Sequence, residues 1–171
     1  KHSVIGMDIA KQVFQLHSVD SETGEVERIK LRRDEVLPHF ALRAPSLVAI
    51  EACGSAHWWA RKLVELGHEV RLLPPRSVRP FVLRNKTDAA DARAIWTAVQ
   101  QPDTRFVAVK SETQQAILAL HRLRAQLLKF RIMQTNALRG LLYEFGEVLP
   151  AGYAALAKAL PAALAGLDGR L

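Results

Sequence analysis

Short apolar runs separated by polar turns dominate the first half of the chain. The segment from Lys1 to Ala10 contains a short apolar run that ends in an acid, which is typical of a buried strand. The β-rich segments Val13–Val19 and Val26–Leu31 follow, with turn residues at 21–25 between them. Three strands joined by short turns predict an antiparallel meander.

Two more apolar runs lie further along, at residues 46–51 and 68–74. A helix through Trp59, closed by Gly67 at the position that favours glycine, separates them. A short helix is also expected over residues 34–43. The predicted order is therefore β-β-β-α-β-α-β. Its second half alternates strands with helices, which favours parallel pairing there.

Helical patterns dominate the second half of the chain. A helix is predicted from Asp88 to about Gln100, with acids in its first turn where the helix dipole favours them. The longest periodic stretch runs from about Glu112 to Phe145. Its spacing of three and four residues predicts a long helix with the heptad seam of a coiled coil. The seam residues are Leu120, Leu123, Leu127, Phe130, Gln134, Ala137 and Leu141.

The net charge of +7 arises in the middle of the chain. Residues 1–74 carry ten Lys and Arg against ten Asp and Glu, whereas residues 75–146 carry twelve against five. Residues 147–171 carry two of each sign. An unbalanced basic segment favours a polyanionic partner, most often nucleic acid. The alternative is an ordinary solvated basic face.

Composition narrows the class of protein further. With 49% hydrophobic and 24% charged residues, the chain is a folded globular protein and not a disordered one. Cys53 is the single cysteine, so no internal disulfide is possible, and a reducing compartment such as the cytoplasm is expected. The most apolar tract, residues 153–167, is interrupted by Lys158 and Pro161 and is too short for a bilayer, so no membrane partner is expected.

Four carboxylates occupy positions where such a fold would collect them. Asp8 closes the first strand and Glu51 the fourth, and functional groups gather at the carboxyl ends of parallel neighbours. Asp88 and Asp91 are three residues apart and share one helix face. Each acid alone is also compatible with a turn or capping role. Clustered together they would repel one another unless cations neutralised them, which predicts bound Mg²⁺ or Mn²⁺ and phosphodiester chemistry.

Three motifs contain these acids. They read GMDIA at residues 6–10, AIEACG at 49–54 and NKTDAADA at 85–92. In order and spacing they resemble the amino-terminal DEDD domain of the insertion sequence 110 family of transposases, over about residues 3–150. That family includes the Piv-type DNA invertases and the bridge-RNA-guided recombinases.

The resemblance implies an α/β fold of the ribonuclease-H-like (RuvC-like) type, with a mixed sheet, flanking helices and a long coiled-coil helix after them. The expected organisation is a DEDD catalytic domain over 1–101 and a coiled-coil region over 112–146. Residues 147–171 would begin a connection to a carboxy-terminal domain that carries a serine nucleophile. The resemblance also implies a catalytic, magnesium-binding tetrad of Asp8, Glu51, Asp88 and Asp91.

The function implied is that of a DNA transposase or site-specific recombinase, working with a structured guide RNA as a homodimer or tetramer. The chain alone would be inactive in strand exchange, because it does not contain the serine domain. Two alternatives stay open. One is a nuclease of the Holliday-junction resolvase type, which cleaves with metal-activated water. The other is a non-catalytic nucleic-acid-binding and dimerisation module.

Several other side chains have expected roles. Phe81 lies among arginines and is a candidate for base stacking, whereas His57 is expected to face solvent and Cys53 to pack as a small apolar residue. Cations after the fifth strand and on the long helix are the candidate contacts to nucleic-acid phosphates. They are Arg76, Arg79, Arg84, Lys86, Arg122, Arg124, Lys129 and Arg131.

Overall fold

The computed structural model describes residues 3–82 and 88–167, without the side chains of Asp88 and Ala89. The chain forms two compact units, Lys1–Glu112 and Thr113–Leu171. The strands are β1 (Val4–Ile9), β2 (Val13–Val19), β3 (Val26–Arg32), β4 (Leu47–Glu51) and β5 (Glu69–Leu73). The helices are α1 (Val36–Leu42), α2 (Ala56–Glu65), α3 (Pro75–Val78), α4 (Asp88–Val99), α5 (Glu112–Glu144) and α6 (Tyr153–Ala165), with a 3₁₀ turn at Arg79–Phe81.

A five-stranded mixed sheet with the order β3-β2-β1-β4-β5 forms the centre of the first unit. β1 pairs antiparallel with β2, and β2 pairs antiparallel with β3. β4 pairs parallel with both β1 and β5. The predicted meander, the parallel second half and the element order are therefore confirmed.

Local sequence explains the hairpin between β2 and β3. The Asp20 carboxylate accepts hydrogen bonds from the backbone N–H groups of Glu22 and Thr23, both at 2.8 Å, which is the turn chemistry that aspartate provides. Gly24 closes the turn with φ of +74°, a conformation that costs glycine little. The hairpin sets the register that places Leu16 opposite Ile29.

Alternating side chains give the sheet two buried faces. On one face α1 and α2 cover a core that contains Ile5, Met7 and Trp59. On the other face the core contains Ala49, Leu73 and residues of α3 and α4 such as Ile95. The carboxyl ends of β1 and β4 reach solvent beside this second layer.

His57 differs from its expected position. The sequence predicted a solvent-facing residue on the helix, but its side chain is buried, and its Nδ1 accepts a hydrogen bond from the Lys110 backbone N–H at 3.2 Å. Arg61 donates to the Lys110 carbonyl at 2.6 Å. α2 therefore anchors the segment that precedes α5, through a partner that lies 53 residues away in the sequence.

The second unit contains α5 and α6. The predicted long helix is confirmed, and its seam residues are exposed in the single chain, with 68% of Leu120 and 66% of Leu127 accessible. Near the end of α5, Arg139 donates hydrogen bonds to the carbonyls of Pro150 and Gly152. Within the part of the chain that the structure describes, no helix is both long enough and apolar enough to cross a membrane.

Candidate active site

Asp8 and Glu51 lie at the carboxyl ends of two adjacent parallel strands. The register of β1 and β4 runs through Gly6 opposite Ala49 and Met7 opposite Ile50. Asp8 and Glu51 each follow directly after the last pair of this register, so the two acids leave the sheet at the same edge. Because side chains alternate along a strand, both acids lie on the face that Ala49 shares with α4.

A glycine allows α4 to approach β1 closely. A Cβ atom at Gly6 would lie 2.6 Å from the Trp96 backbone nitrogen and 2.7 Å from the Trp96 Cβ, and would overlap the Ala92 carbonyl oxygen. No side chain fits at this position unless the helix moves. The close approach places the first turns of α4, which contain Asp91, over β1, whose last two residues are Asp8 and Ile9.

Asp8, Glu51 and Asp91 line a single cleft of about 970 Å³. β1, β4 and α4 each contribute one of these acids. Asp88 is the first residue of α4, three positions before Asp91, but its side chain lies outside the described part of the chain. The structure thus brings three of the four predicted acids to one cleft.

The chemistry of these side chains is that of a site for hard cations, because carboxylate oxygens are the ligands that Mg²⁺ and Mn²⁺ prefer. Among the described residues, which do not include the Asp88 side chain, no group of three His, Cys, Asp or Glu side chains is close enough to hold one ion. The type of ligand that lines the cleft fits a divalent cation.

Two arginines share the cleft with the acids. Arg76 belongs to α3 and Arg79 to the 3₁₀ turn that follows, and both line the same cavity as Asp8. Pro75 starts α3 at a position where its missing N–H costs no hydrogen bond. The cleft therefore combines anionic ligands with cations that suit a phosphate group. The other two predicted cations of this segment, Arg84 and Lys86, lie outside the described residues.

Phe81 packs against the second core with Val82 and is only partly buried, so its role in base stacking stays a prediction. Another side chain near the cleft differs from its expected position. Cys53 is exposed and lines the cleft, whereas the sequence favoured small apolar packing. The sequence does contain a signal for the exposure of Cys53, because it lies two residues after Glu51, where β4 ends. Beyond the end of a strand, the alternation of side chains no longer determines which of them are buried.

The remaining predicted cations belong to the second unit. They are exposed on α5, and the guanidinium of Arg131 lies 5.2 Å from the centre of the Tyr153 ring of α6. This distance is within the range of a cation–π contact. These residues are Arg122, Arg124, Lys129 and Arg131.

The mixed five-stranded sheet, the flanking helices and the long helix α5 confirm the architecture that the family resemblance implied, an α/β fold of the ribonuclease-H-like type. Comparison with known proteins identifies the family. The family model DEDD_Tnp_IS110, described as Transposase, matches residues 5–146. The chain therefore belongs to the IS110 family of DEDD transposases.

Individual relatives include a probable family 20 transposase of Pseudomonas aeruginosa, 51% identical over 146 residues, which cover 85% of this chain and 43% of that protein. The transposase for insertion sequence element IS1328 of Yersinia enterocolitica is 39% identical over 154 residues, 90% of this chain and 46% of the relative. The transposase for insertion sequence element IS1111A of Coxiella burnetii is 36% identical over 162 residues, which cover 95% of this chain and 44% of the relative. The chain thus spans less than half the length of these curated relatives.

Among solved structures, T. thermophilus RuvC in complex with a Holliday junction substrate is similar, with a TM-score of 0.42 and 15% sequence identity. The match covers 63% of this chain and 100% of that one.

Proposed function

We propose that this chain is the amino-terminal DEDD domain of a transposase that binds divalent metal and nucleic acid for DNA strand cleavage and exchange. The observation that carries the proposal is the cleft in which Asp8, Glu51 and Asp91 lie together with Arg76 and Arg79. Asp88, one turn before Asp91, completes the proposed tetrad. Acidic side chains that cluster at strand ends beside exposed cations are better explained by phosphodiester chemistry than by a contribution to the stability of the fold.

Each side chain has a defined part in this proposal. The tetrad carboxylates hold Mg²⁺ or Mn²⁺, which when bound supplies charge stabilisation to the reacting phosphodiester. Arg76 and Arg79 bind the phosphate beside the scissile bond and orient it. Arg84 and Lys86 extend this contact along the backbone. Arg122, Arg124, Lys129 and Arg131 bind further phosphates from α5.

The proposed partners follow from the same chemistry. Phosphate contacts carry no base sequence information, so a site built from them needs another source of specificity. Pairing with a structured guide RNA would provide it. The nucleophilic serine would belong to a carboxy-terminal domain after residues 147–171. We place this reaction in the cytoplasm, where bacterial DNA is accessible.

Metal binding tests the proposal directly. The 171-residue chain should bind Mn²⁺, measured by electron paramagnetic resonance of the free ion. Asp91→Asn removes one ligand and should weaken binding by at least about tenfold, since even residues that only support a ligand contribute tenfold or more to metal affinity. Asp103→Asn makes the same chemical change at an exposed position outside the cleft and should bind as the wild type does.

The alternatives predict different results. If both variants bound Mn²⁺ like the wild type, the metal role of the cleft would be wrong. Metal-dependent cutting of a four-way junction by this chain alone would instead support a resolvase-like nuclease. DNA binding without any Mn²⁺ binding would support a non-catalytic binding module.

Assembly gives a second prediction. We propose that the α5 seam buries against a second copy, because a helix of 33 residues gains most of its stability from packing its apolar stripe. Sedimentation at micromolar concentration should show a dimer or tetramer. Leu127→Glu places a charge in the seam and should shift the protein towards monomer, whereas Gln126→Glu, next to the seam, should not. A wild-type monomer would contradict this assignment.

A further inference from the structure

Two cations lie on the open part of the sheet and outside the predicted basic segment of residues 75–146. Arg28 and Lys30 alternate along β3 with Ile29 and Leu31, which face the first core. They therefore lie on the face that carries α4. That helix packs chiefly on β1 and β2, so the same face of the edge strand β3 is left open to solvent.

A third cation joins these two from another element. Arg93 is exposed on α4, and its charge and that of Arg28 both act on the buried His17 between them. After burial itself, these two charges hold the pKa of the His17 imidazole below its usual value. We call Arg28, Lys30 and Arg93 the β3 strip.

The charges of the β3 strip are not neutralised locally. In the described ranges, none of its three residues makes an ion pair with an acid. Arg32, the next cation on this face of β3, is different, because it pairs with Glu35 at 3.1 Å and with Asp34 at 3.4 Å. The strip therefore presents free positive charge, while Arg32 does not.

The β3 strip is continuous with the cleft. Lys30 pairs in register with Gln15 of β2, and Gln15 pairs with Asp8 of β1. Residues that pair directly across strands point to the same face, so the three side chains form one line across the sheet. The line spans two strand spacings, about 10 Å, and ends at an acid of the proposed tetrad.

We propose that the β3 strip binds the sugar–phosphate backbone of duplex DNA next to the strand that occupies the cleft. This inference rests on the proposed function. Arg28 and Lys30 are about 7 Å apart along the strand, so each can meet a different phosphate of a backbone that carries a regular line of charge. Protection of an edge strand from aggregation would account for charges on β3 itself. It does not account for Arg93, which comes from the covering helix.

The test compares two charge-matched variants of the 171-residue chain. Arg28→Gln/Lys30→Gln removes two charges from the strip. Lys158→Gln/Arg105→Gln removes two exposed charges from α6 and from the segment after α4, neither of which makes an ion pair among the described residues. Affinity for a short duplex of mixed sequence is measured by fluorescence anisotropy across a salt series. The strip variant should lose about fivefold to twentyfold in affinity at low salt. Its log–log salt slope should fall by about 1.8, which is about 0.9 for each lost phosphate contact.

The outcomes separate the strip from the cleft. If the strip variant matched the control in affinity and slope, the inference would be overturned. If the strip variant lost affinity only for an RNA duplex of the same sequence and not for the DNA duplex, the inference would also be overturned, since the strip would then bind RNA. If Arg76→Gln/Arg79→Gln weakened DNA binding while the strip variant did not, the proposed function would be supported and the inference about the β3 strip would be wrong. A wild-type chain that bound no DNA would overturn both. Equal melting midpoints would confirm that all variants are folded.

Discussion

Replacing Gly6 with alanine should destabilise the first unit and disturb the cleft together. The added methyl group would overlap the Ala92 carbonyl and lie 2.6 Å from the Trp96 nitrogen, so α4 must move away from β1. Overpacking of this kind costs about 1–3 kcal/mol. For a unit of this size the melting midpoint should fall by about 4 °C per kcal/mol, as thermal unfolding followed by circular dichroism would show.

The effect on the cleft distinguishes this prediction from a general loss of stability. Asp91 moves with α4, so Gly6→Ala should also weaken Mn²⁺ binding at temperatures where the variant is fully folded. Gly54→Ala is the matched control, because a Cβ atom there meets nothing within 4 Å. It should change neither property. If Gly6→Ala melted like Gly54→Ala, the close contact between helix and strand would not be as tight as described.

The strands and their order along the chain followed from the sequence because local signals agree with the packing. The alternation on β2 and β3, the turn at Asp20, and two apolar runs separated by a helix predicted the meander and the parallel second half. The position of Asp8 and Glu51 at strand ends was also visible. Parallel pairing of β1 with β4 then places them side by side without further information.

Three features could not be predicted from the sequence, because they depend on contacts or on strand pairing that no local pattern shows. His57 is buried by Lys110, which no local pattern connects to α2. Cys53 lies beyond the end of β4, where the alternation that predicts burial stops. The β3 strip was hidden for a different reason. Residues 1–74 are neutral in sum, and only the register of the sheet separates Arg28 and Lys30 on one face from Glu27 on the other.

Asp8→Asn in the full-length protein should abolish recombination. The side chain keeps its size but loses the charge that would hold a divalent ion. Because a bound metal contributes several kcal/mol to a phosphodiester reaction and each 1.36 kcal/mol is tenfold in rate, the loss should be at least about a hundredfold. Recombination between plasmids that carry the element's ends measures it, with Asp103→Asn in the same protein as the control.

Stability of the same variant separates a metal role from a folding role. Asp8 and Glu51 line the same cleft, and Asp8→Asn keeps the size of the side chain there. If the role of Asp8 is to hold metal, the variant should melt close to the wild-type midpoint in the absence of metal. Added Mg²⁺ should stabilise the wild type, since an ion that binds only the folded state raises its stability, and should stabilise the variant less. A variant that unfolds more easily than the wild type without metal would show that Asp8 supports the fold. A stable variant that still recombines would show that the tetrad does not hold the catalytic ion.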